Sequence, residues 1–287
     1  MSKNTDKLNY PLLLALETSG RLGSVALAEG DRLLDESSFT TPLRHSAEVF
    51  PAIAALLEKF NRKPEQIRHI YISIGPGSFT GLRIAATIAK SMHLANNSIK
   101  IVAVDTLDVI AANIIDFVAS HTSFRAQRSE AEESIKICHS ERPVLRSFSE
   151  GGSEESPKKI AAILDAKRGQ FFIAVYKHIT QADSSQNPLS AISYPLMKIS
   201  PDSLLTPQQF LDSFASSAEP LGLLGEGLVY YKDKFTADGI YFFDQKYWTP
   251  SARKVHLLGR HLARANHFAD PLTLTPTYLR NPVVKPK

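Results

Sequence analysis

Two stretches of the chain share the same order of apolar and polar positions. Leu12–Glu17 is a continuous apolar run that ends in an acid, and a turn separates it from a second apolar run at Ser24–Ala28. Ile160–Asp165, a basic and glycine-containing turn at Ala166–Gly169, and Gln170–Tyr176 repeat this order. Short continuous apolar runs between turns are typical of buried strands. Each stretch therefore predicts a strand hairpin, and the repeat indicates a weak internal duplication.

Helical and strand patterns alternate after each hairpin. In the first half we expect a strand at Arg32–Phe39, a helix at Ala47–Phe60, a strand at Ile70–Ile74, a helix at Leu82–Leu94, a strand at Lys100–Val104 and a helix at Thr106–Val118. In the second half we expect a strand within Ile192–Ile199, a helix at Pro207–Phe214, a strand at Leu221–Leu224 and a helix at Ala252–Ala265. This alternation predicts an α/β fold of two lobes, each a mixed sheet with helices packed on it.

The expected organisation has four segments. They are an N-terminal lobe at 1–119, an insertion or linker at 120–159, a C-terminal lobe at 160–275 and a Pro/Lys-rich tail at 276–287. The second segment is rich in Ser, Glu and Arg and has no apolar period, which favours a linker. Two facing lobes predict a cleft, with the acids at the strand ends pointing into it.

Composition narrows the protein class but does not identify a ligand. Hydrophobic residues make up 43% and charged residues 22% of the chain, which predicts a globular protein. A net charge of +4 is compatible with nucleic acid or an acidic partner, and is also ordinary for soluble proteins. The single cysteine, Cys138, and the polar start at Met1–Tyr10 predict a reducing compartment and no signal peptide. We therefore expect a cytoplasmic protein without a membrane span.

The segment Gly75, Pro76, Gly77, Ser78, Phe79, Thr80 and Gly81 joins an expected strand to an expected helix. Exposed N–H groups at such a helix start would suit a phosphate or nucleotide. Alternatively, the loop is a tight structural turn whose helix is capped by Ser78 or Thr80. It is not a Walker loop, because no Gly-Lys-Ser/Thr follows. The spacing alone favours the structural turn.

The expected cleft contains Glu17, Thr18 and Ser19 from the first half and Asp165 and Arg168 from the second. Acids at these positions could hold a metal ion with bound phosphates. They could equally pair with a turn arginine, Arg21 or Arg168, or accept turn N–H groups. No metal site is expected elsewhere, because His45 has Val49 where a second helical ligand would stand. No catalytic residue is assigned, since no nucleophile and base pair is visible.

Several blocks of the sequence together resemble the TsaB family. In chain order they are Leu16-Glu17-Thr18-Ser19, Gly23-Ser24-Val25-Ala26-Leu27, Arg44-His45-Ser46-Ala47-Glu48, Gly75-Pro76-Gly77-Ser78-Phe79-Thr80-Gly81-Leu82-Arg83-Ile84, Asp105-Thr106-Leu107, Asp165-Ala166-Lys167-Arg168-Gly169-Gln170 and Tyr278-Leu279-Arg280-Asn281. The glycine block is highly specific. The resemblance covers most of the chain and is strongest before Ser120.

The resemblance implies the duplicated actin/Hsp70/sugar-kinase fold, also called ASKHA and ribonuclease H-like. It implies a non-catalytic scaffold for TsaD, the transferase that places threonylcarbamoyl on an adenosine beside the tRNA anticodon. Expected partners are a TsaD-like paralogue, a TsaE-like ATPase, tRNA through the complex, and a second copy of the chain when it is alone. ATP and a metal ion are expected in the partner subunits and no cofactor in this chain. The His-x-x-x-His site of TsaD lacks its second His here.

The resemblance also places the partner interface on the helices that follow the His-Ser and Gly-Pro-Gly blocks. The expected interface residues are His45, Ser46, Phe50, Ile53, Leu57, Leu82, Arg83, Ala86 and Ala89. Part of this apolar surface is expected to cover the sheet instead. The chain departs from the family pattern at Glu17, Gln170, Ala85 and the long insertion. The alternative function is a nucleotide-dependent phosphotransferase, or a threonylcarbamoyl transferase active by itself.

Overall fold

The computed structural model describes residues 10–42, 44–115, 157, 159–178, 196–216 and 218–279. The chain forms two compact units, one of residues 1–109 with 249–287 and the other of residues 110–248. The insertion expected at 120–159 lies outside the described residues apart from Pro157 and Lys159, and the tail expected at 276–287 does so beyond Leu279.

The first unit contains a five-stranded mixed sheet. Its strands are β1 (Leu12–Glu17), β2 (Ser24–Glu29), β3 (Arg32–Ser38), β4 (Ile67–Gly75) and β5 (Lys100–Asp105). They lie in the order β3-β2-β1-β4-β5. β1 runs antiparallel to β2 and parallel to β4, and β5 runs parallel to β4. The central strand β1 is buried along its whole length, as its continuous apolar run predicts.

Helices cover both faces of this sheet. They are α1 (His45–Lys59), α2 (Phe79–Ala95) and, from later in the chain, α5 (Ala252–Arg264). A 3-10 turn at Pro64–Gln66 precedes β4, and α3 (Thr106–Ala111) follows β5 and leads into a 3-10 turn at Ala112–Ile114, which belongs to the second unit. Apolar side chains of α1 and α2 form one core with Leu14 and Leu16 of β1. Gly259 of α5 lies against Tyr71 on the opposite face.

The position of α5 corrects the expected domain boundaries. The sequence pattern places Ala252–Ala265 in the C-terminal lobe, whereas the structure groups this helix with the first unit. The amide of Ala252 donates to Ser24 Oγ at 2.8 Å, and a Cβ on Gly259 would lie 2.5 Å from the ring of Tyr71. The chain therefore returns to its first sheet after building the second.

The second unit repeats the topology of the first. Its strands are β6 (Lys159–Asp165), β7 (Phe171–His178), β8 (Leu196–Leu205), β9 (Leu221–Leu224) and β10 (Ile240–Phe242), with α4 (Pro207–Phe214) and 3-10 turns at Glu226–Leu228, Lys232–Phe235 and Gln245–Tyr247. They lie in the order β10-β9-β6-β7-β8. β6 pairs antiparallel with β7 and parallel with β9, and β10 runs parallel to β9. The duplicated ASKHA-like α/β fold is thereby confirmed.

Several elements differ in extent from their predictions. α1 begins at His45, so Pro51 stands inside the helix on its exposed side. α3 ends at Ala111 and continues as a 3-10 turn. β8 extends from Leu196 to Leu205, beyond the strand expected within Ile192–Ile199, while β10 was not predicted. Within the described ranges, none of the helices is both long and apolar enough to cross a membrane.

Candidate functional site

Three segments of the first unit meet around the turn that follows β1. The amide of Ser78, in the glycine loop, donates to the carbonyl of Ser19 at 2.8 Å. The hydroxyl of Thr18 donates to the carbonyl of Gly81 at 2.7 Å. At the start of α1, Nε2 of His45 lies 3.1 Å from the carbonyl of Gly20. The turn, the glycine loop and the first turn of α1 are therefore held together by hydrogen bonds to backbone carbonyls.

The glycines of the loop are needed because other backbone lies against them. A Cβ on Gly77 would lie 2.7 Å from the carbonyl oxygen of Ser19. A Cβ on Gly81 would lie only 1.8 Å from the carbonyl oxygen of Thr18. Gly75 has a φ of +123°, a region that side-chain-bearing residues rarely adopt.

Two backbone amides of the loop already donate hydrogen bonds within the protein. Ser78 caps α2, because its hydroxyl accepts from the amide of Gly81 at 3.3 Å, whereas Thr80 is exposed. The amide of Ser78 is bonded to Ser19. Two of the N–H groups that an anion would need are thus already used. The geometry favours the structural turn over the phosphate loop.

Glu17 is enclosed by its own fold. Its side chain is fully buried. Oε1 accepts from the amide of Ser19 at 2.6 Å and also from the hydroxyl of Ser19, while Oε2 accepts from the hydroxyl of Ser73. Burial raises the pKa of the Glu17 carboxyl, and the hydrogen bonds from Ser19 and Ser73 lower it in part. Through these hydrogen bonds Glu17 connects the end of β1 to the following turn and to β4.

Asp165 occupies the equivalent place in the second unit and also contacts the turn that follows it. Its Oδ1 accepts from the amide of Lys167 at 2.7 Å, and its Oδ2 pairs with Nζ of Lys167 at 2.7 Å. Lys167, Arg168 and Gly169 all have positive φ. The turn residue that pairs with the acid is Lys167, where the sequence analysis considered Arg168.

His45 is buried at the start of α1. Because a carbonyl can only accept, Nε2 carries the proton in its bond to Gly20, and Nδ1 is left unprotonated. Nδ1 is buried without a hydrogen-bond partner. Burial lowers the pKa of His45, while Gly20 and Glu48 oppose this shift. Across the part of the chain that the structure describes, no three His, Cys, Asp or Glu side chains gather as a metal site.

The structure divides the expected interface residues into two groups. Leu57, Leu82, Ala86 and Ala89 are at most 6% exposed. Leu57, Ala86 and Ala89 belong to the core beneath α1 and α2, and the Leu82 side chain lies beside Gly75. These four therefore stabilise the first unit itself, because the sheet needs apolar cover.

The remaining expected residues face outward, apart from the buried His45. Ser46, Phe50 and Arg83 are exposed, Phe50 at 61%, and Ile53 is half-buried. Phe79, which the sequence analysis assigned only to the glycine loop, is 47% exposed, with the Arg83 guanidinium 5.1 Å from its ring centre. Phe79 stands three residues before Leu82 and seven before Ala86, so the helical period would place it on the buried side, and the sequence carried no signal for its exposure.

We call the outward set the docking face and define it as Ser46, Phe50, Ile53, Phe79 and Arg83. The starts of α1 and α2 lie side by side, because a Cβ on Gly81 would be 3.4 Å from Cδ2 of His45. Phe50 lies five residues after His45, which is about 8 Å along the helix. The two exposed phenylalanines thus belong to the same end of the helix pair.

Comparison with known proteins gives matches in sequence and in fold. The family model described as "TsaD: tRNA N6-adenosine threonylcarbamoyltransferase" matches residues 40–121. The tRNA threonylcarbamoyladenosine biosynthesis protein TsaB of Bacillus subtilis is 35% identical over 101 residues, which are 35% of this chain and 44% of that protein. TsaB of Buchnera aphidicola (subsp. Acyrthosiphon pisum) is 30% identical over 100 residues, again 35% of this chain and 44% of the relative. The alignments thus span under half the length of these relatives.

The likeness of fold extends over nearly the whole chain. YeaZ from Pseudomonas aeruginosa superposes with a TM-score of 0.64 at 20% identity, covering 93% of this chain and 99% of that one. This match supports the fold. The family model, by contrast, falls on the segment that contains α1, the glycine loop and α2.

Proposed function

We propose, on the premise that this chain belongs to the TsaB/YeaZ family, that it serves threonylcarbamoyladenosine biosynthesis in tRNA as a non-catalytic subunit. In this proposal the chain pairs with a TsaD-type transferase through the docking face and supports it. The observation that carries the proposal is that Phe50 and Phe79 are exposed, whereas Glu17 of the same site is buried and hydrogen-bonded within the protein.

The side chains of the first unit that could take part in catalysis are instead buried and hydrogen-bonded within the protein. Both oxygens of Glu17 accept hydrogen bonds inside the protein. His45 is buried and bonded to Gly20. A metal-dependent transferase needs ligands that an incoming ion can reach, and here Glu17 is closed off and Val49 stands where a second histidine would be. These features favour a supporting role over independent catalysis.

The docking face has the composition of a protein interface. Aromatic anchors surrounded by polar groups contribute most of the binding energy in many complexes. Phe50 and Phe79 are such aromatics, and Arg83 and Arg44 are exposed cations at the same helix starts. A partner that covers the two phenylalanines would remove apolar surface from water. A second copy of this chain could cover the same face when the partner is absent.

The wider assembly follows from the same proposal. A TsaE-like ATPase is a further partner, and tRNA is contacted through the complex. ATP and a metal ion belong to the partner subunits, and this chain binds no cofactor by itself. The complex works in the cytoplasm.

Calorimetric titration of this chain with the TsaD-type protein of the same genome tests the pairing. Phe50→Glu should weaken binding at least about 30-fold, because replacing a central anchor usually costs about 2 kcal/mol or more. Leu272→Glu is the matched control, since Leu272 is 84% exposed and lies outside both helices. The control should bind as the unchanged chain does.

Equal affinity of the Phe50→Glu and Leu272→Glu proteins would contradict the placement of the docking face. A titration of the chain alone with ATP and Mg²⁺ separates the proposal from independent phosphotransferase activity. We expect no heat of binding beyond dilution. Micromolar binding that depends on Glu17 would instead favour the enzyme.

A further inference from the structure

The segment after α5 runs back across the first unit and ends at the docking face. We call residues 269–279 the C-terminal strap. The amide of Ala269 donates to the carbonyl of Ile101 at 2.8 Å, and Leu274 is buried in the core shared by α1 and α2. The amide of Thr277 then donates to the carbonyl of Ile74 at 2.8 Å. These contacts fix the strap to the ends of β5 and β4.

The strap fits closely against the glycine loop. A Cβ on Gly75 would lie 2.6 Å from the carbonyl oxygen of Thr277, so the loop and the strap are in backbone contact. The next residue, Tyr278, places its ring centre 5.1 Å from that of Phe79, with the planes inclined by 36°. The strap thus brings an aromatic residue from the far end of the described chain to the start of α2.

Both rings remain open to solvent although they contact each other. Tyr278 is 38% exposed and Phe79 is 47% exposed. If the only role of the two rings were to cover the glycine loop, we would expect one ring to shield the other from solvent. Instead the two rings form a continuous exposed aromatic surface beside Arg83. Because Leu274 and the Thr277 amide hold the strap directly before Tyr278, less freedom of this side chain is lost on binding.

We infer that Tyr278 is a sixth member of the docking face and directly contacts the partner subunit. The inference rests on the proposed function, because it assigns a contact residue to the same pairing. The chemistry of the occupant follows from the charges at this site. The exposed Arg83 beside the ring of Phe79, with the exposed Arg44 at the start of α1, fits a partner segment with apolar side chains and at least one carboxylate.

The affinity for the TsaD-type protein, measured by calorimetry on the full chain, tests the inference. Tyr278→Ala should weaken binding about 5-fold or more, the loss that marks an important contact residue of an interface. Tyr278→Phe keeps the ring and should bind like the unchanged chain. Leu272→Ala is the control within the strap, since Leu272 is highly exposed. Thermal unfolding by circular dichroism should show that all three variants remain folded.

A second comparison separates direct contact from an effect through Phe79. Tyr278→Ala should still weaken binding when it is introduced into a Phe79→Ala chain. No added loss in that background would show that Tyr278 only positions Phe79, and would overturn the contact. Arg83→Gln should also reduce the dependence of the association rate on salt; an unchanged dependence would refute the carboxylate.

The outcomes distinguish this inference from the proposed function. If Phe50→Glu abolishes binding while Tyr278→Ala leaves it unchanged, the inference is wrong and the proposed function stands. If the unchanged chain does not bind the partner, both are overturned. If Phe50→Glu and Tyr278→Ala both weaken binding and Tyr278→Phe does not, both are supported.

Discussion

Replacing Gly81 with alanine tests the packing of the glycine loop most sharply. Gly81 stands in the first turn of α2, and its added Cβ would lie 1.8 Å from the carbonyl oxygen of Thr18 and 2.9 Å from its carbonyl carbon. Both atoms are backbone, so no side-chain rotation can relieve the contact. The turn after β1 or the start of α2 would have to move.

The expected loss of stability follows from three contributions. Inserting a methyl group into a closely packed site costs about 1–3 kcal/mol, and more where backbone must move. The shift would also disturb the hydrogen bond from Thr18 Oγ1 to the Gly81 carbonyl, which contributes about 1 kcal/mol. Alanine gains about 1 kcal/mol in helix propensity over glycine. The last two contributions roughly cancel, so we expect Gly81→Ala to lower the free energy of unfolding by about 1–3 kcal/mol.

Urea unfolding followed by far-UV circular dichroism measures this loss. Tryptophan fluorescence is less suitable, because the only tryptophan of the chain, Trp248, lies in the second unit. Thr87→Ala is the control, since Thr87 is exposed on the same helix and should change stability by less than about 0.5 kcal/mol. A Gly81→Ala protein as stable as the unchanged chain would refute the packing argument.

Three further predictions concern buried groups of the first unit. Burial raises the pKa of Glu17, so protonated Glu17 stabilises the fold in acid and this stability is lost as the pH rises through that pKa. In urea unfolding, Glu17→Gln should therefore gain stability relative to the unchanged chain as the pH rises from 4 to 8. A difference that stays constant with pH would contradict this. Burial lowers the pKa of His45, so stability should fall below about pH 6.5 by up to about 1.4 kcal/mol per pH unit, and His45→Gln should flatten that slope; an unchanged slope would count against a buried neutral His45. Ala86→Asp should lower the melting temperature of the chain alone, because Ala86 is 6% exposed; an unaltered melting temperature would show that Ala86 faces solvent.

The strands and the duplication could be predicted because they depend on local patterns. β1 and β6 are covered on both faces, so each appears as an unbroken apolar run. The acid and turn that follow each strand repeat as well. A repeated local pattern was sufficient to predict two lobes that begin with the same hairpin, but not β10.

The division of the helix surfaces could not be predicted from the same pattern. Apolar residues of α1 and α2 occupy more than the side that meets the sheet, and Leu57 and Phe50 look alike in sequence. Only the position of the sheet decides that Leu57 is buried and Phe50 is exposed. An interface residue and a core residue are then chemically indistinguishable until the fold is known.

Contacts between distant parts of the chain account for the other differences. The sequence alone allows Glu17 to be a metal ligand or to stabilise its turn. The hydrogen bond from Ser73, 56 residues away, favours the second role. The assignment of α5 to the first unit depends on Gly259 meeting Tyr71. Tyr278 meets Phe79 by the same kind of long-range contact. Such pairs leave no periodic signal in the sequence.

Reconstitution of threonylcarbamoyl transfer to tRNA tests the central claim most directly. The TsaD-type protein, the TsaE-like ATPase, ATP and the threonylcarbamoyl adenylate are mixed with tRNA, with and without this chain, and modified adenosine is measured. We predict product only when this chain is present, and a loss of product with Phe50→Glu but not with Leu272→Glu. Equal product without this chain, or product from this chain in the absence of the TsaD-type protein, would contradict the account.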